Sequence, residues 1–169
     1  MAVNAYLYVD GVQGPSSSKT GFIDILSFSW GVAQSIVDMR TASGATKMGH
    51  GRADFINLII TKKLDKTTPL LFDHCASGDL LKEVYLLYDK PVGDKQDDFF
   101  RIYLKDVIVT SVQLSSTQET PSESVSFAFG AVEVAYKPEK ANGTLDAAIS
   151  KGYSIETLSP NFAAPTPMG

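Results

Sequence analysis

A single cysteine, Cys75, and two histidines, His50 and His74, leave this chain little of what disulfides, metal centres and thiol chemistry are built from. One cysteine excludes an internal disulfide and any multi-cysteine metal site. The carboxylate nearest a histidine is Asp73, beside His74; if that stretch is helical, adjacent positions diverge by about 100°, so Asp73, His74 and Cys75 point apart. No metal and no cofactor is expected. Long apolar runs are also missing. The stretch from Phe55 to Ile60 is interrupted by Asn57 and falls far short of the ~20 residues that cross a bilayer, so a soluble chain without membrane insertion is expected. There is no basic tract either: 15 Lys and Arg against 19 Asp and Glu give a formal charge of −4, with the basic residues scattered. Phosphate binding needs a concentrated basic face, which argues against a nucleic-acid partner. The N-terminus, Met1 to Leu7, has neither the basic region nor the long apolar stretch of a secretory signal. Cytoplasmic synthesis without a standard export route is the expectation.

What the chain does have is β-patterning. Its 169 residues, 44% hydrophobic and 20% charged, suit one core. Val3 to Asp10 reads as a strand, Gly14 to Gly21 as a loop, and Phe22 onward as a long strand with Leu26, Phe28, Trp30 and Val32 on one face and Ser27, Ser29 and Gly31 on the other. The polar, glycine-bearing stretch between Val37 and Arg52 reads as a long extended loop, an arm. Ala53 to Lys62 is a further strand. Thr67-Thr68, Pro69 and Gly78 delimit a short helix with Leu71, Phe72 and Cys75 as its buried stripe. Leu81 to Tyr88 and Phe99 to Val112 return to strands, with a connection at Pro91 to Asp94. In the last strand the apolar set Val125, Phe127, Phe129 gives way to Val132, Val134, Tyr136 across Gly130, which predicts a bulge there. The fold class is therefore mainly β, an antiparallel barrel or sandwich with one side helix. Residues 1–158 form one domain and 159–169 a mobile tail.

Sites for chemistry are sparse. Ser18-Lys19-Thr20 ends a glycine-flanked loop, but Ser18 stands where a phosphate loop needs glycine and a strand follows where it needs a helix. Gly49-His50-Gly51 is an incomplete dinucleotide fingerprint. Asp97, Asp98, Glu119 and Glu123 read as solvated loop carboxylates rather than an acid and base pair, and Asn142-Gly143-Thr144 as a turn. No catalytic residues are assigned and no enzyme is expected. A monomeric β-sandwich that binds carbohydrate is the alternative to a self-assembling subunit.

Several motifs in order carry a resemblance: the turn Asp10-Gly11-Val12-Gln13-Gly14, the strand Phe28-Ser29-Trp30-Gly31, the helix start Asp65-Lys66-Thr67-Thr68-Pro69-Leu70-Leu71, the strand Phe129 to Tyr136, and the turn Asn142-Gly143. Over residues 3–158 the sequence resembles the Hcp family, the tube proteins of bacterial type VI secretion systems. The resemblance implies a barrel-like subunit, related to phage tail-tube proteins, that forms hexameric rings stacked into a tube inside a sheath. The tube is expelled with effectors and a tip protein, which would carry the chain outside the cell. In such a ring Ser27, Ser29 and Gly31 would face the lumen, and the arm carrying Met39, Arg40, Thr41, Lys47, Met48 and His50 would reach a neighbouring subunit or the next ring.

Overall fold

Short apolar periods of two residues, broken by Gly, Pro and Asn turns, turn most of this chain into strands. The computed structural model describes residues 3–40, 46–117 and 119–168. The elements run β1 (Asn4–Val9), β2 (Ile23–Asp24), β3 (Ser27–Ser29), β4 (Val32–Arg40), β5 (Thr46–Phe55), β6 (Leu58–Lys63), α1 (Thr68–Ser77), β7 (Leu81–Val92), β8 (Lys95–Ser116), β9 (Pro121–Tyr136) and β10 (Ile149–Ser154). The main sheet is antiparallel throughout, in the order β2-β1-β7-β8-β9-β6-β3, with β10 also on β9. The fold is mainly β with a side helix, as the patterning indicates, and the sheet curls into a half-barrel.

The segment expected as one long strand from Phe22 is divided. Ile25 donates its N–H to Ala5 O and Leu26 donates to Thr61 O, so the chain changes partner between β1 and β6 within two residues. Because β1 and β6 lie near opposite edges of the sheet, this step ties the edges together. Phe28 and Trp30 pack against the core as expected, but Leu26 and Val32 are exposed, since the backbone turns at each end of β3.

The core is built from Leu7 and Val9 of β1, Leu58 and Ile60 of β6, Val84 and Leu86 of β7, Ile102, Leu104, Val107 and Val109 of β8, and Val125, Phe127 and Val132 of β9. Helix α1 starts after Thr67 with Pro69 in its first turn and ends at Gly78 in the left-handed conformation, as the punctuation predicts. Leu71 is fully buried and Cys75 packs against the core, whereas Phe72, expected beside them, is exposed: only a narrow stripe of so short a helix meets the sheet.

The parity change at Gly130 has a counterpart in β8, where Ile102 and Leu104 give way to Val107 and Val109 on the core side, and the two fall at one level. Asp106, in the left-handed region with φ 52°, sits across from Gly130, and the pairing Lys105 to Ala131 and Val107 to Phe129 continues in register. No residue is inserted at Gly130, so the expected bulge is absent there. Instead both strands flip faces together, and the Gly130 carbonyl accepts N–H bonds from Ile155 and Glu156. The register shift lies nearby, between Val109 and Ser111. Above the flip β8 and β9 belong to a half with β1, β7 and β10; below it they belong to a half with β6 and β3.

Beyond Tyr136, where the apolar pattern fades, β10 nonetheless pairs with residues Ala131 to Tyr136 of β9. The segment expected as a mobile tail lies against the sheet. Ala164 N–H donates to Glu133 Oε2 at 2.8 Å, and the Thr166 carbonyl accepts from Arg101 Nη1 at 2.8 Å.

Candidate functional site

Two surfaces of the sheet differ in chemistry, and register shows how. In the half with β3 and β6, the outward residues fall in cross-strand rows: Ser27, Thr61, Ser124 and Gln113 in one, Ser29, Ile59, Ser126 and Ser111 in the next. Neither row contains a charged residue. The hydroxyls bond one another: Ser27 Oγ lies 2.5 Å from Thr61 Oγ1, and Asn57 Nδ2 donates to Thr110 Oγ1, which in turn donates to Ser126 Oγ at 3.0 Å. Ser27 and Ser29 are exposed on the face opposite Phe28, and Gly31 is half-buried against Ile56.

In the other half the equivalent row is Tyr8, Tyr85, Tyr103 and Glu133. Tyr8 stacks on Tyr85 with ring centroids 4.7 Å apart, Tyr85 on Tyr103 at 6.1 Å, and Tyr103 on Phe162 of the tail at 6.3 Å. Tyr103 donates its hydroxyl to Glu83 Oε2 at 2.6 Å; burial, reinforced by that carboxylate, holds its phenol proton well above the usual tyrosine range. Arg101 pairs with Glu133 at 2.9 Å, both nearly buried beneath the tail. Lys19, from the loop that superficially suggests a phosphate site, instead folds back to pair with Asp98 at 2.5 Å and sits over the Tyr6 and Phe22 rings.

The arm is not an irregular loop. β4 and β5 form a two-stranded antiparallel hairpin apart from the main sheet, with Met39 opposite Lys47, Asp38 opposite Met48, Ile36 opposite His50 and Arg40 opposite Thr46. Thr41 lies outside the described residues. At the start of β4, Val32 to Ile36 are all exposed. At its base Phe55 packs on Tyr153, with ring centroids 5.2 Å apart.

One site escaped the sequence reading. Glu123, taken as a solvated carboxylate, is buried and paired with Lys62, which is fully buried. Lys62 Nζ also lies 2.9 Å from Asp65 Oδ1 and donates to Lys63 O at 3.2 Å, while Thr68 Oγ1 donates to Glu123 Oε1 at 3.2 Å. Burial pushes the Asp65 carboxyl up, but hydrogen bonds from Thr67 and Lys62 outweigh it and hold the group below its ordinary value. The cluster clamps the start of α1 to β6 and β9. Its signal was present: Lys62 continues the parity of Leu58 and Ile60, and Glu123 that of Val125 and Phe127, so both charges fall on the core side of their strands.

Among the described residues no three His, Cys, Asp or Glu converge as metal ligands, and no helix is long and apolar enough to cross a membrane.

The curled antiparallel half-barrel defines a fold class shared with secretion and phage-type tube structures. A solved type six secretion system protein superposes with a TM-score of 0.82 at 26% identity, covering 94% of this chain and 99% of its own. Hcp1 from Salmonella typhimurium gives 0.71 at 23% identity, over 94% and 99%. The cap of an anti-feeding prophage tube gives 0.59 at 9% identity over 78% and 87%, a likeness of fold alone. In sequence, the family described as Type VI secretion system effector, Hcp, matches residues 6–136. Protein hcp1 of Pseudomonas aeruginosa is 35% identical over 158 residues, 92% of this chain and 96% of that protein. The chain belongs to the Hcp family of type VI secretion tube proteins.

Proposed function

We propose that this chain is the ring-forming subunit of a type VI inner tube, assembled as stacked hexamers within a sheath and beneath a tip protein, and secreted with effectors it carries in its lumen. The observation that carries this reading is the uncharged hydroxyl surface. Two successive rows across four strands, one of Ser, Thr and Gln and the next broken only by Ile59, carry no charge, and the first charge on that face of β6 is Lys63 at its end. In this reading Ser27, Ser29 and Gly31 line the lumen. The β4–β5 hairpin, carrying Met39, Arg40, Lys47, Met48 and His50, pairs with the neighbouring subunit, where its exposed Val32 and Ile36 are covered.

Light scattering paired with negative-stain imaging tests the assembly. Discrete six-subunit rings are expected, and a monomer at every concentration and salt would remove the reading. Ser29→Phe tests the lumen: rings and circular dichroism should be unchanged while co-purifying cargo is lost. Unchanged cargo retention would place Ser29 on the outside of the ring. Replacing residues 37–50 with a short turn tests the hairpin, because rings formed normally without it would reject its intersubunit role.

A further inference from the structure

The tube reading uses the hydroxyl surface and the hairpin and leaves the aromatic surface, with the C-terminal segment across it, without a role. That segment is held as a peptide is held in a groove. Glu133 accepts the Ala164 N–H, Arg101 donates to the Thr166 carbonyl, Phe162 stacks on Tyr103, and one bridge, Gly152 to Asn161, joins it to β10. Two of these contacts run from side chains to the segment's main chain, one is ring on ring and one is an isolated backbone bridge, with no continuous strand ladder among the described residues. Pro160, Pro165 and Pro167 restrict the segment before it docks, and its end lies beside Phe22, Tyr85 and Tyr103, the pairing of proline-rich chain with an aromatic wall that peptide-recognition grooves employ.

The segment does not fill its groove. A cavity of about 300 Å³ remains between Thr166 to Met168 and the loop carrying Lys19, with Glu83 and Asp98 in its wall. Arg101 is 6% exposed, and its Nε has no hydrogen-bond partner among the described residues. A buried donor left unused shows that the docked segment does not exhaust the groove's hydrogen-bonding capacity.

We propose that this groove is a peptide site which the chain's own C-terminal segment fills in the free subunit and the same segment of a second copy fills in the assembled protein. The groove already accepts this sequence, so an exchanged segment regains every contact and only the hinge changes. That hinge is a closed turn in which Ser154 and Ser159 exchange both backbone hydrogen bonds and Leu158 between them has φ 53°. From there residues 160–168 span roughly 30 Å when extended, enough to cross to an adjoining subunit. The exchange rests on the tube reading, which places a neighbour's tail at an effective concentration on the order of millimolar. The groove itself does not.

The test uses the full chain carrying Phe162→Ala and Ala164→Pro, the latter removing the N–H that Glu133 accepts. A fluorescent peptide of residues 159–168 should bind this variant saturably, at least tenfold more tightly than it binds the unsubstituted chain, whose groove is occupied. The same peptide with Phe162→Ala should bind at least fivefold more weakly. No binding to a variant whose circular dichroism matches the unsubstituted chain overturns the peptide site. Rings of the variant should dissociate at about tenfold higher concentration than unsubstituted rings, following the linkage between exchanged contacts and assembly. Unchanged ring stability overturns the exchange alone. Absence of rings from the unsubstituted chain overturns the tube reading and the exchange with it, while binding of the fluorescent peptide still decides the groove.

Discussion

The row Tyr8, Tyr85, Tyr103, Glu133 and the row Ser27, Thr61, Ser124, Gln113 are laid out by the same curled sheet, and β8 and β9 run through both. One is aromatic and charged and lies beneath a loop and a tail; the other is uncharged, and its edge serines are open. The switch between them is the paired flip at Asp106 and Gly130, where both strands exchange their faces without losing register. A surface that needs a cover is thus separated from one that needs none by a single level of backbone. The difference teaches that large side chains here serve packing against added chain, while small hydroxyls leave a surface available to whatever approaches it.

The largest effects should come from the ionic contacts that anchor each half, and they should differ in a way that tests this division. Lys62→Met leaves the Glu123 carboxylate buried with no cation and only the Thr68 hydroxyl beside it. A loss of about 3–5 kcal/mol is expected in urea unfolding. Glu123→Leu should cost less, because Lys62 keeps Asp65, and Lys62→Met with Glu123→Leu should return most of the loss. In the other half, Glu133→Leu also strands a cation, yet Arg101 is covered only by the C-terminal segment, which can lift and admit water; about 1–3 kcal/mol is expected. Equal losses at Lys62 and Glu133 would mean the tail is as much core as α1.

Gly152→Ala probes the cover directly. A Cβ there would stand 2.2 Å from Phe162 O and 3.0 Å from Val132 O, both backbone, so the tail must move. Roughly 1–3 kcal/mol of destabilisation is expected, with faster proteolysis within residues 160–168. At Gly130 the nearest atom is a Glu156 carboxylate oxygen at 2.9 Å, the end of a flexible side chain, and Gly130→Ala should be milder. Unchanged proteolysis of the tail in Gly152→Ala would break the idea that it is packed cover.

How much of this was legible depends on sequence distance. Strand identity, the helix from Thr68 to Ser77 with its Pro69 start and Gly78 stop, and the serine side of β3 follow from local period and punctuation, because each is fixed by neighbours a few residues away. The hairpin was missed because residues 37–52 carry no apolar period of two to read. The covered surface was missed for a different reason: Arg101 and Glu133 sit on the polar parity of their strands and look solvent-facing until residues from 162 onward return to them. The clamp at Lys62 and Glu123 was readable from parity, but charge outweighed parity in the reading.

The two halves should also fail at opposite ends of the pH scale. The Asp65 carboxyl is held below its ordinary value in the folded state, so its contribution is present above about pH 4 and is lost as pH falls through the folded value. Asp65→Asn should flatten the acid limb of urea midpoints. The Tyr103 phenol keeps its proton to higher pH than in the unfolded chain, so its contribution is present below about pH 10 and is lost as pH rises beyond that. Tyr103→Phe should flatten the alkaline limb, at a cost near neutrality of about 1–3 kcal/mol for the bond to Glu83. Either substitution altering the opposite limb would show that the halves do not respond separately.

The smallest effect belongs to the open surface, and its smallness carries the argument. Ser27 is exposed, and its hydroxyl contact with Thr61 competes with water, so Ser27→Ala should shift stability by no more than about 0.5 kcal/mol. Ser29→Leu should do the same, since its side chain points away from the core that Phe28 joins. Substitutions that leave urea midpoints unmoved and yet change what travels with the assembled protein would identify these hydroxyls as a surface kept for contact. A loss above about 2 kcal/mol at either serine would instead mean that the row is buried by structure, and the contrast between the two halves of the sheet would disappear.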